Sequence, residues 1–378
     1  MDDGERRKFP PEAPCPRDAQ RERVWLQPLS GLDSLGDMDI DIILEPDLTP
    51  AQVAELGQKA ERYGVRALWS SNYFAHWDCF LSMVPLAQST SKLLLGPLAV
   101  SPFEMHPLKI ANSLLSLNEF AGGRALIAMG AGEGNIDCMG IERPEKIVRA
   151  VREGIEIVRG AGRGKLAKGY KGDDFVVNLP CAYGWLKAPT PPLVYGTAYR
   201  GQMMRMEARV SDGVFIGCTP PEVMATAMKE VMEGAAKREP DMPTLRTNTF
   251  WAWHLKRDRA EGYRESRREL PWRAIKLQKE LIMQCLSEDE AQLVRDHYDK
   301  FVAAWFDRSG NVQGIPEEIP NRLCEYFTST GGLEDLDREI ERFRLFAKAG
   351  LTECALRLHD DPMEALDIIG QHVIPKLR

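Results

Sequence analysis

The chain has no apolar run of 18 residues, so the sequence predicts no membrane-spanning helix. The opening residues, MDDGERRKFPPEAPCPRDAQRER, lack the apolar stretch of a secretory signal, which predicts a cytoplasmic protein. Cysteine occurs eight times but without a CxxC pair. Such scattered spacing argues against a disulfide framework and a zinc site, and predicts reduced thiols, several of them buried. No metal is expected. No basic patch interrupts the net charge of −7, so nucleic acid is not an expected partner. GxSxG, HExxH, Walker A and EF-hand patterns are all missing, which removes support for hydrolase, protease and NTPase chemistry.

What is present is a regular alternation. The 378 residues are 44% hydrophobic, enough for a large core. Residues 1–36 are rich in Pro, Arg, Asp and Glu and lack periodicity, and are expected to be a poorly ordered extension. From 37 to 378 the pattern reads as one domain. Strands are predicted over 38–44, 65–70, 93–100, 124–129, 193–196, 213–216, 247–254 and 351–358. Helices are predicted over 50–62, 82–90, 108–120, 144–159, 202–209, 220–237 and 363–372, the first with Thr49 as N-cap and Pro50 at its first turn. Eight βα units imply an α/β protein of the (β/α)₈ TIM-barrel class. A charged helical stretch, about 256–345, interrupts the rhythm before the last strand. It reads as a solvated insertion, a cap over the barrel mouth, or a dimer contact.

Active residues of such a barrel lie at the C-terminal strand ends. The second strand exits as WSSNYFAHWD. Trp69 and Phe74 are expected to cap the core; His76 and Trp77, further out, are candidates to contact a ligand. The third exit, GPLAVSP, suggests a bulge. The fourth, MGAGEGN, lets backbone at Ala131 and Gly132 approach a ligand and carries Glu133, either an acid/base group or a solvated loop carboxylate. Lying on the fourth strand, it does not make a Rossmann fingerprint. The fifth exit, VYGTAYRG, places Thr197 and Arg200 before a helix that begins near Gly201, a plausible phosphate site.

Two segments carry a resemblance. HPLKIANSLLSLNEFAGGRALIAMGAGEG (106–134) and PPLVYGTAYRGQMMRMEARVSDGVFIG (191–217) resemble hallmark segments of the bacterial luciferase-like monooxygenase superfamily. GPLAVSPFEMHP and NIDCMGIERPEKIVRAVREGIEIVRG resemble its coenzyme F420-dependent branch, in particular the methylenetetrahydromethanopterin reductases. Trp77 and Glu133 line up with the tryptophan and glutamate of the branch's glucose-6-phosphate dehydrogenases. The resemblance implies a homodimeric oxidoreductase that passes a hydride between F420 and a small organic substrate. It implies a non-prolyl cis peptide from Leu98 to Ala99 behind the cofactor ring, with Asn72, Ala131 and Gly132 beside it. It implies that Thr197, Ala198, Tyr199 and Arg200 hold the cofactor phosphate. The branch usually carries Asp-His at the second strand exit, where this chain has Asn72 and Tyr73; either Tyr73 or His76 takes the histidine's role beside Glu133 and Trp77, or the enzyme needs no histidine there. Two alternatives stand beside this reading: a reduced-FMN-dependent monooxygenase, and a non-catalytic flavin- or deazaflavin-binding protein.

Overall fold

The computed structural model describes residues 38–275 and 281–378, except for the side chains of Glu133, Ala274 and Ile275; the extension expected over 1–36 lies outside the described residues. Eight strands form the barrel. They are β1 (Asp39–Leu44), β2 (Ala67–Ser71), β3 (Leu94–Leu98), β4 (Leu126–Met129), β5 (Leu193–Ala198), β6 (Gly213–Ile216), β7 (Arg246–Leu255) and β8 (Glu353–Arg357). All pair in parallel, in the order β3-β2-β1-β8-β7-β6-β5-β4. Parallel bridges Leu95–Ala125 and Val100–Met129 join β3 to β4 and close the ring. The fold is the TIM barrel that the alternation predicts. At the closure, Gly96 passes so near β4 that a Cβ on it would overlap the Leu126 carbonyl oxygen. Only glycine fits there.

Strand alternation divides the side chains between two cores. Ile43, Trp69, Leu98, Ala128, Tyr195, Phe215 and Ala355 fill the barrel interior. Ile40, Ile42, Leu68 and Leu95 point outward and pack with the helices. The ring of helices begins with α1 (Pro50–Tyr63), α2 (Val84–Ser89) and α3 (Pro107–Phe120). Thr49 caps α1 in a reciprocal capping box with Gln52, and Gly64 ends it in the left-handed region at φ 80°. Then follow α4 (Glu133–Cys138), α5 (Ile147–Ala161), α6 (Gly201–Val210) and α7 (Pro221–Ala235). The short α4 and an antiparallel pair, Tyr170–Lys171 with Val176–Val177, have no signal in the sequence pattern. Each is too short to show a period.

The long helical stretch contains α8 (Arg259–Leu270), α9 (Glu288–Asp296), α10 (Tyr298–Phe306) and α11 (Glu318–Phe327). These four share a satellite core built on Leu270, Phe301, Leu323 and Phe327. Ser329–Gly331 then pairs in parallel with the end of β7, and α12 (Leu336–Lys348) returns to pack on α7 and β8. After β8 come α13 (Pro362–Ile368), a π turn over Ile369–Val373 and the short α14 (Ile374–Leu377). Among the described residues no helix is long and apolar enough to cross a membrane.

Both hallmark segments owe part of their pattern to bolts at the N-terminal face of the barrel. Arg124 donates to the carbonyls of Ala87, Thr90 and Leu93 at 2.8, 2.9 and 2.6 Å. Asn118 receives Ala125 N–H at 3.0 Å and donates to the Thr190 carbonyl at 2.9 Å. Asp212 takes Arg159, Arg163 and Val194 N–H at 2.9, 2.9 and 3.0 Å. This face serves stability; the chemistry belongs at the other end.

Candidate active site at the barrel mouth

The exits of β2, β3 and β4 are tied into one unit. The Leu98–Ala99 peptide is cis. The Asn72 amide donates to the Ala99 carbonyl at 3.1 Å and to Glu104 Oε2 at 2.9 Å, and its backbone N–H reaches the Leu98 carbonyl at 3.1 Å. Glu104 Oε1 accepts Ser101 N–H at 2.9 Å, and Asn135 donates to the Asn72 carbonyl at 3.1 Å. Glu104, which the sequence reading passed over, is therefore the clamp beneath this wall. Ala99, Ala131 and Gly132 remain partly exposed above it. Gly132 stands at φ 70°, and a Cβ there would meet Ser101, so two separate constraints select glycine. Glu133 is the first residue of α4; its side chain lies outside the described residues. Gly134 faces open space, with no atom within 4 Å of where a Cβ would stand.

The aromatic run after β2 turns outward. Tyr73 is 39% exposed, Trp77 49% and Phe74 56%. The expectation that Phe74 caps the core is wrong. The strand ends at Ser71, and Phe74 falls in a turn that has left the sheet. Trp69 does fill the core, edge-on to Tyr195 and Phe215 with centroids 5.4 and 4.9 Å away. Tyr73 and His76 lie together, ring centroids 6.1 Å apart. The Tyr73 hydroxyl accepts from Arg357 Nη2 at 2.9 Å, which leaves its own proton free to donate. Arg357 sits at the end of β8 and is held by Glu45 through Nε and through a 2.7 Å bond from Nη2. A charge inside the apolar run ECALRL is the signal that could have exposed Arg357.

At the β5 exit, Thr197 is partly exposed, Ala198 buried, and Tyr199 and Arg200 exposed. Arg200 is the N-cap of α6, in extended conformation, and no side chain caps the helix. The first-turn N–H groups are thus available to an anion. Tyr199 packs on Gly217 after β6. Tyr199 is 51% exposed, with Cys218, Arg273, Arg357 and Tyr73 as neighbours. Burial raises its pKa and Cys218 adds to the rise, while Arg273 and Arg357 oppose it. The exits of β2, β5, β6 and β8 therefore converge on one space. A separate groove of about 610 Å³ lies outside the barrel between α5, α6 and α7 and involves none of these exits.

Two histidines brace the far wall. His254 and His359 stack with centroids 4.6 Å apart. His254 Nδ1 lies 2.8 Å from Glu265, and His359 Nδ1 3.5 Å from Glu45. Burial holds the His359 pKa well below 6.5, helped by His254, Arg357, Arg273 and Arg268. The folded state thus keeps His359 neutral while the unfolded chain protonates near pH 6.5. Its contribution is complete above pH 6.5 and is lost as pH falls, by up to about 1.4 kcal/mol at pH 5.5. His359→Asn is expected to shrink the drop in melting temperature between pH 7.5 and 5.5. An unchanged drop would show that other groups carry the acid sensitivity.

Comparison with known proteins places this geometry. A family model described as luciferase-like monooxygenase matches residues 38–354. The 5,10-methylenetetrahydromethanopterin reductase of Archaeoglobus fulgidus is 25% identical over 345 residues, covering 90% of this chain and 100% of that protein. The solved coenzyme F420-dependent tetrahydromethanopterin reductase of Methanopyrus kandleri superposes with a TM-score of 0.74 at 20% identity, over 91% of this chain and 100% of that one. An F420-dependent secondary alcohol dehydrogenase, solved with an F420–acetone adduct, gives 0.68 at 16% identity over 91% of this chain and 100% of that one.

Proposed function

The chain belongs to the luciferase-like monooxygenase family, and from that premise we propose an F420-dependent oxidoreductase that moves a hydride between the deazaflavin and a small organic substrate. The observation that carries the reading is full-length similarity to a methylenetetrahydromethanopterin reductase, joined to a mouth whose parts suit that cofactor. The fit is local and chemical. A planar ring has the wall at Leu98–Ala99 and the open backbone of Ala131 and Gly132 to lie against. A phosphate has the uncapped start of α6, the Thr197 hydroxyl and the exposed Arg200.

When bound, the deazaflavin supplies the carbon that takes or gives the hydride. The protein's share is position and protonation. Asn72 and Glu104 hold the wall. Thr197, Ala198, Tyr199 and Arg200 hold the phosphate. Trp77 and Tyr73 orient the substrate, with His76 beside them. Glu133 is the acid/base group, and the Tyr73 hydroxyl, whose oxygen is fixed by Arg357, can donate its proton to a substrate oxygen. The same reading makes the protein a cytoplasmic homodimer that acts on a small molecule.

The test is a titration of the purified protein with oxidised F420 and, separately, with FMN, followed by intrinsic tryptophan fluorescence. Selective, saturable micromolar binding of F420 is expected. Selective FMN binding would transfer the reading to a reduced-FMN-dependent monooxygenase. Binding of neither would mean that Asn72, Tyr73, Tyr199 and Arg200 have remade the site.

A further inference from the structure

Several deeply set arginines among the described residues are paired with carboxylates. Arg66 is paired with Asp41, Arg268 with Asp360 and Arg357 with Glu45. Arg273 differs. It is only 6% exposed, yet no carboxylate pairs with it among the described residues. Among the described residues its Nε has no hydrogen-bond partner, and its one hydrogen bond is weak, from Nη1 to the Cys218 sulfur at 3.8 Å. A buried cation without a counter-charge is strongly disfavoured, and a structural arginine would not be left in that state.

Its position gives the reason. Arg273 belongs to Pro271–Ile275, where α8 widens into a single π turn as it leaves the barrel wall. The guanidinium lies over the Phe250 ring, 4.4 Å from its centroid, on the mouth side of the interior cluster. Arg357 approaches the same ring at 5.4 Å. Arg357 is neutralised by Glu45; Arg273 is not. Cys218 and Tyr199, at the β6 and β5 exits, complete the surround. The Tyr199 hydroxyl, a phenol and so protonated at neutral pH, is a donor too. One face of the guanidinium is fixed by stacking, and hydrogen-bonding capacity on its edge is unused.

We propose that Arg273, carried into the barrel mouth by the helical insertion, is the counter-charge for an anionic oxygen group, phosphate or carboxylate, on the ligand that occupies the mouth. The group can come from the cofactor or from the substrate. Either way the insertion completes the site. The anion displaces no ion pair of Arg273 among the described residues. This inference needs only that the mouth binds a ligand, so it can fail separately from the deazaflavin reading.

The full-length protein, Arg273→Met and Arg273→Lys are compared without cofactor in buffer free of other polyanions. Inorganic phosphate is titrated, with thermal melting and tryptophan fluorescence as readouts. Trp272, 5.2 Å from Trp305 between ring centroids, is a reporter next to the site. Phosphate is expected to bind the parent saturably and raise its melting temperature. Affinity should fall at least tenfold in Arg273→Met and partly recover in Arg273→Lys. Without phosphate, Arg273→Met should melt no lower than the parent, since methionine keeps the packing on Phe250 and removes an unanswered charge. Oxidised F420 is then titrated without phosphate. A tenfold loss in Arg273→Met assigns the anion to the cofactor. Unchanged F420 affinity, with phosphate still bound by the loaded parent but not by the loaded variant, assigns it to the substrate. Equal phosphate binding by parent and Arg273→Met, no binding by either, or a large fall in the melting temperature of unliganded Arg273→Met would overturn the proposal.

Discussion

Arg66→Met is expected to lower stability by about 3–5 kcal/mol, the cost of breaking a buried ion pair from one side. Arg66 enters the floor of the barrel just before β2, with its side chain 11% exposed. Asp41 on β1 and Glu353 on β8 face it with no exposure at all. Arg66 Nε donates to Asp41 Oδ1 at 2.9 Å, Nη1 reaches the Tyr195 hydroxyl at 3.2 Å, and Nη2 lies 2.9 Å from Glu353. Trp69 and Asn248 add donors to Asp41 at 2.9 and 2.8 Å. Without Arg66, Glu353 would keep Arg246, while Asp41 would be left with only the Trp69 and Asn248 donors. Burial already pushes Glu353 up to about 7; Arg66 pulls it down, Asp41 pushes it further up and Arg246 pulls it down. Loss of Arg66 therefore raises the folded-state pKa of Glu353 further. A raised carboxyl pKa costs stability above the unfolded value near 4.5, and the cost fades as pH falls towards it. The deficit of the variant should be greatest at pH 8 and smaller at pH 5. Thermal melting across that range measures it. A deficit below 1 kcal/mol at pH 8, or one that grows on acidification, would show that Arg66 does not hold this floor.

That network marks a limit of reading from sequence. MDIDIIL shows alternation, but alternation alone does not say that Asp41 points into a barrel rather than to water. The answer depends on Arg66 and Glu353, and Glu353 is brought alongside only when the last strand closes on the first. Strands and helices were legible because each is a local period, and Thr49 with Pro50, or Gly122 with Gly123, marks its ends. The mouth was legible in part. The residues after β2, β4 and β5 stood out because strand exits rarely need that chemistry. Arg357 is 284 positions from the Tyr73 it holds, and no local pattern joins them. Arg273 is hidden differently. It lies in a charged helical stretch among arginines that do have partners, and only its burial beside Phe250 distinguishes it. Phe74 erred the other way, since aromatic character alone did not show where the strand would stop.

Gly217→Ala tests the β5 and β6 exits together, and is expected to weaken F420 binding by tenfold or more while leaving the fold intact. Gly217 is buried after β6, and its N–H bonds to the Ala198 carbonyl at 3.0 Å, which fixes the two exits side by side. A Cβ there would overlap the Tyr199 ring. The backbone is pinned, so the ring must yield, and its free volume is on the exposed side. That side is the mouth. A displaced Tyr199 would stand where the proposed ligand lies, and each tenfold loss corresponds to about 1.4 kcal/mol. The melting temperature should change little, because the clash is with a side chain that can rotate. Tyr199→Ala alone removes a contact without obstructing the site, so its loss should be smaller. The two substitutions share one contact and cannot be additive. In the double variant the new methyl has no ring to push, and F420 affinity should return to that of Tyr199→Ala. Wild-type affinity in Gly217→Ala would place the ligand away from Tyr199 and remove the phosphate role of the 197–200 segment. A double variant weaker than both singles would mean that the methyl damages the backbone of the exit rather than the position of the ring.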